Sequence, residues 1–164
     1  SEPGRACYEF GVWMGSSLDY LMRSFEKGFG FDTFSGLPED WRSITKGSYS
    51  SFKQIPDIPN VEFVVGEFKN TLPVFFSMTR PKAGIINFDA DLYSSTLIAL
   101  EQSSHVIDEK TILIFDELIV NEDWRQDEYR ALTEFCMAKG YEYEVLLASI
   151  FTKQVVCRLK RCHT

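Results

Sequence analysis

Seven apolar runs, bounded by glycine, proline and polar turn residues, punctuate the chain at residues 6–12, 28–34, 61–65, 83–89, 111–119, 141–147 and 154–159. Their composition and length predict strands. Between several of them apolar positions recur at helical spacing: Leu18, Leu21, Met22 and Phe25 form one stripe, Leu97, Leu100, Ser104 and Ile107 a second, and Ala131, Leu132 and Phe135 a third. Strand and helix alternate, which predicts parallel strands joined by crossover helices. Unbroken apolar runs such as Ile112-Leu113-Ile114-Phe115 predict a sheet covered on both faces. Only residues 148–153 separate the last two runs, too few for a parallel crossover, so the final strand is expected to run antiparallel to its neighbour. The predicted fold is α/β, a doubly wound, mostly parallel sheet ending in a C-terminal antiparallel hairpin.

Residues 35–60 break this rhythm. They hold Gly36, Pro38, Gly47, Pro56 and Pro59 with Trp41, Tyr49 and Phe52 interspersed and show no sustained period. A structureless stretch of this length is usually a functional lid or a disordered linker, and the aromatic content favours a lid that packs on something.

Composition narrows the classes. The 164 residues suffice for one domain, and 45% hydrophobic with 25% charged residues is the balance of a globular protein. No run approaches the roughly 20 apolar residues that cross a bilayer. Seventeen Lys and Arg against 24 Asp and Glu give a net charge of -7, the wrong sign for a protein that neutralises nucleic-acid phosphates. Cys7, Cys136, Cys157 and Cys162 form no C-x-x-C pair, and three lie in or beside apolar segments; reduced thiols and a cytoplasmic location are expected. Ser1 to Ala6 is short and polar, unlike a secretory leader.

In an open parallel sheet, ligands bind beyond the carboxyl ends of the strands. After the first strand, Glu9-Phe10-Gly11-Val12-Trp13-Met14-Gly15-Ser16-Ser17 offers two glycines for a tight turn and a helix N-terminus for an anion. The dinucleotide fingerprint G-x-G-x-x-G fails at Trp13 and Met14, which disfavours a nicotinamide-dependent oxidoreductase. The plain alternative is an ordinary strand-to-helix turn with Ser16 or Ser17 as N-cap. Asp32, after the second strand, could accept from a ribose diol or simply start a loop. Gly66-Glu67-Phe68 follows the third strand, where Phe68 suits a base and Glu67 an amine. The fourth strand runs into Asp89 and Asp91, the fifth into Asp116 and Glu117. Four neighbouring carboxylates repel one another, so the cluster is either a hard-metal site with oxygen ligands or an acid/base site with raised pKa values. The plain alternative makes Asp91 and Glu117 solvated loop residues and Asp89 a helix cap. His105 and His163 lack partners at ligand spacing.

These segments, together with Gly30-Phe-Asp-Thr-Phe-Ser-Gly-Leu-Pro-Glu-Asp-Trp41, Gly47-Ser-Tyr-Ser50, Gly66-Glu-Phe-Lys-Asn-Thr-Leu-Pro73, Phe88-Asp-Ala-Asp-Leu-Tyr-Ser-Ser-Thr96 and Phe115-Asp-Glu117, closely resemble the macrocin O-methyltransferase family of S-adenosylmethionine-dependent enzymes. The resemblance runs in order over nearly the whole chain and implies one class I methyltransferase domain over residues 1–164, with a seven-stranded sheet and without the N-terminal helical cover of longer members. By analogy, Glu9, Gly11, Gly15 and Ser16 would hold the methionine end of S-adenosylmethionine, Asp32 its ribose, and Gly66, Glu67 and Phe68 would lie by the adenine. Asp89 would be the catalytic residue that receives the acceptor's proton and would also touch the cofactor. The resemblance further implies a divalent ion, usually Mg2+, on Asp89, Asp116 and Glu117; Glu117 departs from the usual Asp-Asp pair, and Asn70 stands where the family often has Asp. Trp41 and Tyr49 on the lid, with Asp91 and Tyr93, would face the acceptor.

The expectation is O-methylation of a hydroxylated small molecule, a sugar or a phenol. A metal ion on two adjacent hydroxyls would fix geometry and lower a hydroxyl pKa, and lid closure would exclude water. No nucleic-acid or membrane partner is expected, and a homo-oligomer is left open. The competing reading is a binding or regulatory module that keeps the fold without catalysis; Glu9, Gly11, Asp32, Asp89 and Asp116 all retain chemically competent types, which argues against it.

Overall fold

The computed structural model describes residues 2–120 and 123–162. In chain order it contains β1 (Ala6–Phe10), α1 (Ser16–Met22), β2 (Gly28–Asp32), β3 (Val61–Val65), α2 (Phe68–Phe76), β4 (Ala83–Phe88), α3 (Tyr93–Ser103), β5 (Ile112–Phe115), α4 (Glu128–Lys139), β6 (Tyr141–Ala148) and β7 (Val155–Arg161). The strands form one seven-stranded sheet in the order β3-β2-β1-β4-β5-β7-β6. β1 to β5 pair in parallel, while β7 runs antiparallel to both β5 and β6. The short β6–β7 turn imposes that reversal, as its length predicts.

Side-chain alternation along the strands sorts the core into two layers. Tyr8 and Phe10, with Phe29, Phe31, Ile86 and Phe88, face α2, α3 and α4 through Leu72, Phe75, Phe76, Leu100, Leu132 and Phe135. On the other face Cys7 meets Leu18 of α1, with Val12, Phe34 and Ile58. The expected cover on both faces is met only in part. α1 packs on β1 and β2, and beyond it Ile85, Ile112, Ile114 and Val156 remain half-buried. Cys7, Cys136 and Cys157 are buried core residues, whereas Cys162 is exposed.

α2 is an element that periodicity does not announce, because Pro73 lies inside it. Proline removes one backbone donor and normally argues against a helix interior. Tertiary burial of Leu72, Phe75 and Phe76 outweighs that loss, since fully burying each such side chain contributes about 1.5–3 kcal/mol.

Four aromatic rings form a ladder across the middle of the sheet. Phe10 stacks on Phe31 at 4.8 Å and on Phe88 at 5.5 Å, and Phe88 stacks on Phe115 at 4.7 Å. Their positions are in register across β2, β1, β4 and β5. The residue after each ring is Asp32, Gly11, Asp89 or Asp116. Parallel pairing also runs one step past the ladder, with Gly11 N–H donating to Phe31 O (2.9 Å), Asp89 N–H to Phe10 O (2.8 Å) and Asp116 N–H to Phe88 O (3.0 Å). The sheet thereby delivers these residues side by side at one edge.

Candidate active site

β1 leaves the sheet through Gly11, whose φ of 90° lies in the left-handed region that glycine alone adopts freely. A Cβ there would meet the Asp89 carbonyl oxygen at 1.9 Å. Just before it, Glu9 is fully buried on the α1 face, opposite Asn87 in the β1–β4 register. Asn87 donates from Nδ2 to Glu9 Oε1 at 2.6 Å, while Glu9 Oε2 makes no hydrogen bond of normal geometry. Burial pushes this carboxyl up to about 7, against the pull of Ser17 and Asn87 and with the negative charges of Asp32 and Asp116 adding to the rise.

The rest of the acidic edge behaves alike. Burial, then the charges of Asp116 and Asp91, lifts Asp89 to about 8. Burial, then Glu117 and Asp116, lifts Asp91 to about 7, with Arg42 opposing. Asp116 is raised by burial and held back by its hydrogen bond from Gln154. Burial and mutual repulsion thus raise the carboxyls of both Asp89 and Asp91. Asp89 caps no helix: α3 has Leu92 as N-cap.

A cleft of about 430 Å³ opens above this edge. Gly11, Asp32, Glu67, Phe68, Asp89, Asp91, Asp116 and Glu117 line it from the strand ends, and Trp13 joins them. Residues 35–60 form the opposite wall through Gly36, Leu37, Pro38, Trp41 and Tyr49. They pack onto the body of the protein. Trp41 and Leu37 form a small buried cluster with Leu92, and Ser94 Oγ donates to Glu39 Oε1 at 2.7 Å. Arg42 pairs with Asp127 and lies over the Trp41 ring. Tyr49 is half exposed on the cleft, but Phe52 is 88% exposed and holds nothing down.

Several expected site residues stand elsewhere. Gly15 is the N-cap of α1, so neither Ser16 nor Ser17 caps it. A Cβ on Gly15 would meet Pro56 at 2.8 Å, so this glycine seats the end of the lid segment, and Ser16 is exposed on α1. Neither lines the cleft. Tyr93 does not line the cleft either: its hydroxyl donates to Glu134 of α4 and Arg130 lies over its ring at 4.4 Å. Gly66 (φ 139°) donates its N–H to Asp32 O at 2.9 Å and places Glu67 and Phe68 on the cleft wall. Phe68 packs edge-on against Phe10, and Glu67 pairs with Lys69. His105 packs on Phe76, away from the site; His163 lies outside the described residues.

The metal expectation meets a donor set that does not fit. Asp116 Oδ1 accepts from Gln154 Nε2 at 2.6 Å, and Glu117 Oε1 pairs with Lys153 Nζ at 3.2 Å, both from the β6–β7 turn. Among the described residues no group of three or more His, Cys, Asp or Glu side chains converges as a cation site requires.

One buried acid behind the cleft lining escapes sequence reasoning. Glu128 opens α4 and is buried, and its Oε2 accepts the Glu117 N–H at 3.2 Å. Burial holds its carboxyl well above the usual range, with Asp91, Asp89 and Asp116 adding to the shift. A glutamate at a helix start reads as a dipole partner, and only the fold brings it behind the acidic edge.

No protein-family model and no curated protein matches the chain. Solved structures do. The calicheamicin methyltransferase CalS11 superposes with a TM-score of 0.73 at 21% identity, over 96% of this chain and 72% of that one. The O-methyltransferase NovP gives 0.67 at 19% identity, over 98% and 73%. An O-methyltransferase from Bacillus cereus in complex with SAH gives 0.62 at 16% identity, over 95% and 74%. The sheet order, the antiparallel final strand and these superpositions together show that the chain has the fold of class I methyltransferases.

Proposed function

We propose that the chain is an S-adenosylmethionine-dependent O-methyltransferase acting on the hydroxyl of a sugar or phenolic small molecule. One observation carries this reading: Asp89 and Asp91, buried carboxyls of raised pKa, line the cleft beside the Gly11 turn, with Glu9 buried in β1 behind them, an environment that a cationic ligand completes. Gly11 lines the cleft without a side chain, so a ligand there meets bare backbone. The resemblance to macrocin O-methyltransferases and the likeness to CalS11 and NovP support the same class.

The sulfonium of S-adenosylmethionine supplies an already activated methyl group. The chain's task is to hold an acceptor oxygen in line with it and to take the acceptor's proton. Asp89, at the cleft and near pKa 8, is suited to hold that proton, and a neighbouring cation favours its ionised form beforehand. Asp91 lies beside it as a second acceptor. Gly11, Glu67 and Phe68 form the cofactor side, and Trp41, Tyr49 and Leu37 cover the acceptor and exclude water. No step is assigned to a divalent ion, because Asp116 and Glu117 are engaged by Gln154 and Lys153.

Transfer of labelled methyl from S-adenosylmethionine to a panel of catechols and deoxysugars tests the reading. Turnover of at least one acceptor class, lost in Asp89→Asn, is expected. Donor binding without transfer to any hydroxyl would instead favour a module that has lost catalysis.

A further inference from the structure

Asp32 stands at the end of β2 on the wall of the cleft, where a carboxylate suits a ribose diol, yet its oxygens are turned to backbone. Oδ2 accepts the N–H of Val12 at 2.7 Å and of Trp13 at 2.8 Å, and Oδ1 accepts the N–H of Phe34 at 2.7 Å. The first two donors belong to the turn between β1 and α1, the third to the loop after β2. One side chain thus ties together two loops that are distant in sequence.

Backbone strain marks the same spot. Trp13 and Phe34 have φ of 49° and 55°, a left-handed conformation that bulky residues adopt only when their surroundings enforce it. Each of the two strained residues donates to Asp32, and hydrogen bonds to an ionised carboxylate are about twice as strong as neutral ones. Phe34 is buried among Ile58 and Phe63, whereas Trp13 is 53% exposed and lines the cleft. A carboxylate offers about four lone-pair sites. Three are taken, and a diol with two O–H donors asks for two.

We propose that Asp32 is a positioning residue, which fastens the β1–α1 turn to the β2 loop and so sets where Trp13 stands over the cleft, and that it is not the bidentate ribose ligand its position suggests. The inference rests on the cleft being the S-adenosylmethionine site. It assigns the shape of the cofactor's wall to a hydrogen-bonded carboxylate and leaves recognition of the diol to other groups.

The test pairs two ligands with two proteins: S-adenosylhomocysteine and its 2′,3′-dideoxy analogue, each titrated into the native chain and into Asp32→Asn. The amide turns one acceptor oxygen into a donor facing backbone N–H groups. Both ligands are then expected to weaken together by about tenfold or more, with the ratio between them unchanged, and Asn at this position also speeds amide exchange at Val12 and Trp13. Loss of the diol's contribution in the variant, or unaltered binding, would overturn the proposal. Amide exchange in the native, ligand-free chain decides even if the variant does not fold: fastening requires the Trp13 N–H to be protected although its side chain is exposed, and exchange at open-loop rates contradicts it. If the native chain binds neither ligand, the methyltransferase reading fails, while the exchange measurement still judges the fastening.

Discussion

A Cβ on Gly11 would stand 1.9 Å from the carbonyl oxygen of Asp89. The two residues follow Phe10 and Phe88, rungs of the aromatic ladder, so their approach is fixed by β1–β4 pairing and cannot relax without shifting a central strand. Gly11→Ala combines this clash with a φ of 90°. A loss of about 2 kcal/mol or more in urea denaturation is expected, together with loss of cofactor binding by calorimetry.

Asn87 is the buried donor to Glu9. Asn87→Ala takes from Glu9 Oε1 its buried donor, at an expected cost of about 1–3 kcal/mol in stability. It also removes a group that favours the ionised form, so a carboxyl titration followed by NMR should move Glu9 further above its present value near 7.

Stability of the ligand-free protein should fall as pH rises from about 5 to about 8. Glu9, Asp91 and Asp89 have folded pKa values near 7, 7 and 8, above the unfolded values near 4. Over that interval the folded state binds more protons than the unfolded one, so the contribution of these groups, full below about pH 4, declines steadily and is gone once pH passes about 8. The carboxyls with lowered pKa values, Glu2, Glu67, Asp108 and Glu134, act in the opposite direction but titrate below this window. Thermal melts across the series should show a Tm lower by several degrees at the alkaline end.

Binding of a cationic donor should expel protons. Positive charge lowers the pKa of Asp89 and Asp91, so near neutral pH S-adenosylmethionine is expected to release more protons than S-adenosylhomocysteine, which lacks the sulfonium. Calorimetry in buffers of differing ionisation enthalpy measures that difference, and Asp89→Asn should reduce it.

Much of this was legible because strand and site share one punctuation. The apolar runs at 61–65 and 83–89 end where β3 and β4 end, give or take a residue, and the acidic residues after them fall where an open sheet places ligands. The six-residue gap before β7 carried its reversal directly. What stayed hidden depends on packing. Pro73 masked α2, whose helix is held by buried Phe75 and Phe76. Tyr93 sits beside the acidic cluster in sequence, but the helical turn carries its ring to Glu134 on α4. Gly15 looks like Gly11 in the chain, yet one faces Pro56 and the other Asp89. Glu128 carries no mark in sequence at all, since only the approach of α4 to β5 buries it beneath Glu117. A repeated signal was present: Phe precedes Gly11, Asp32, Asp89 and Asp116, and that repeat is the aromatic ladder with the site one residue beyond it.

The most direct test of the central claim is a calorimetric titration of the folded, ligand-free chain with S-adenosylhomocysteine. One site per chain is predicted, in competition with S-adenosylmethionine and abolished by Gly11→Ala. Absence of heat and of any thermal shift from a folded sample at millimolar ligand (about 4 kcal/mol of binding free energy at the limit) would contradict the account.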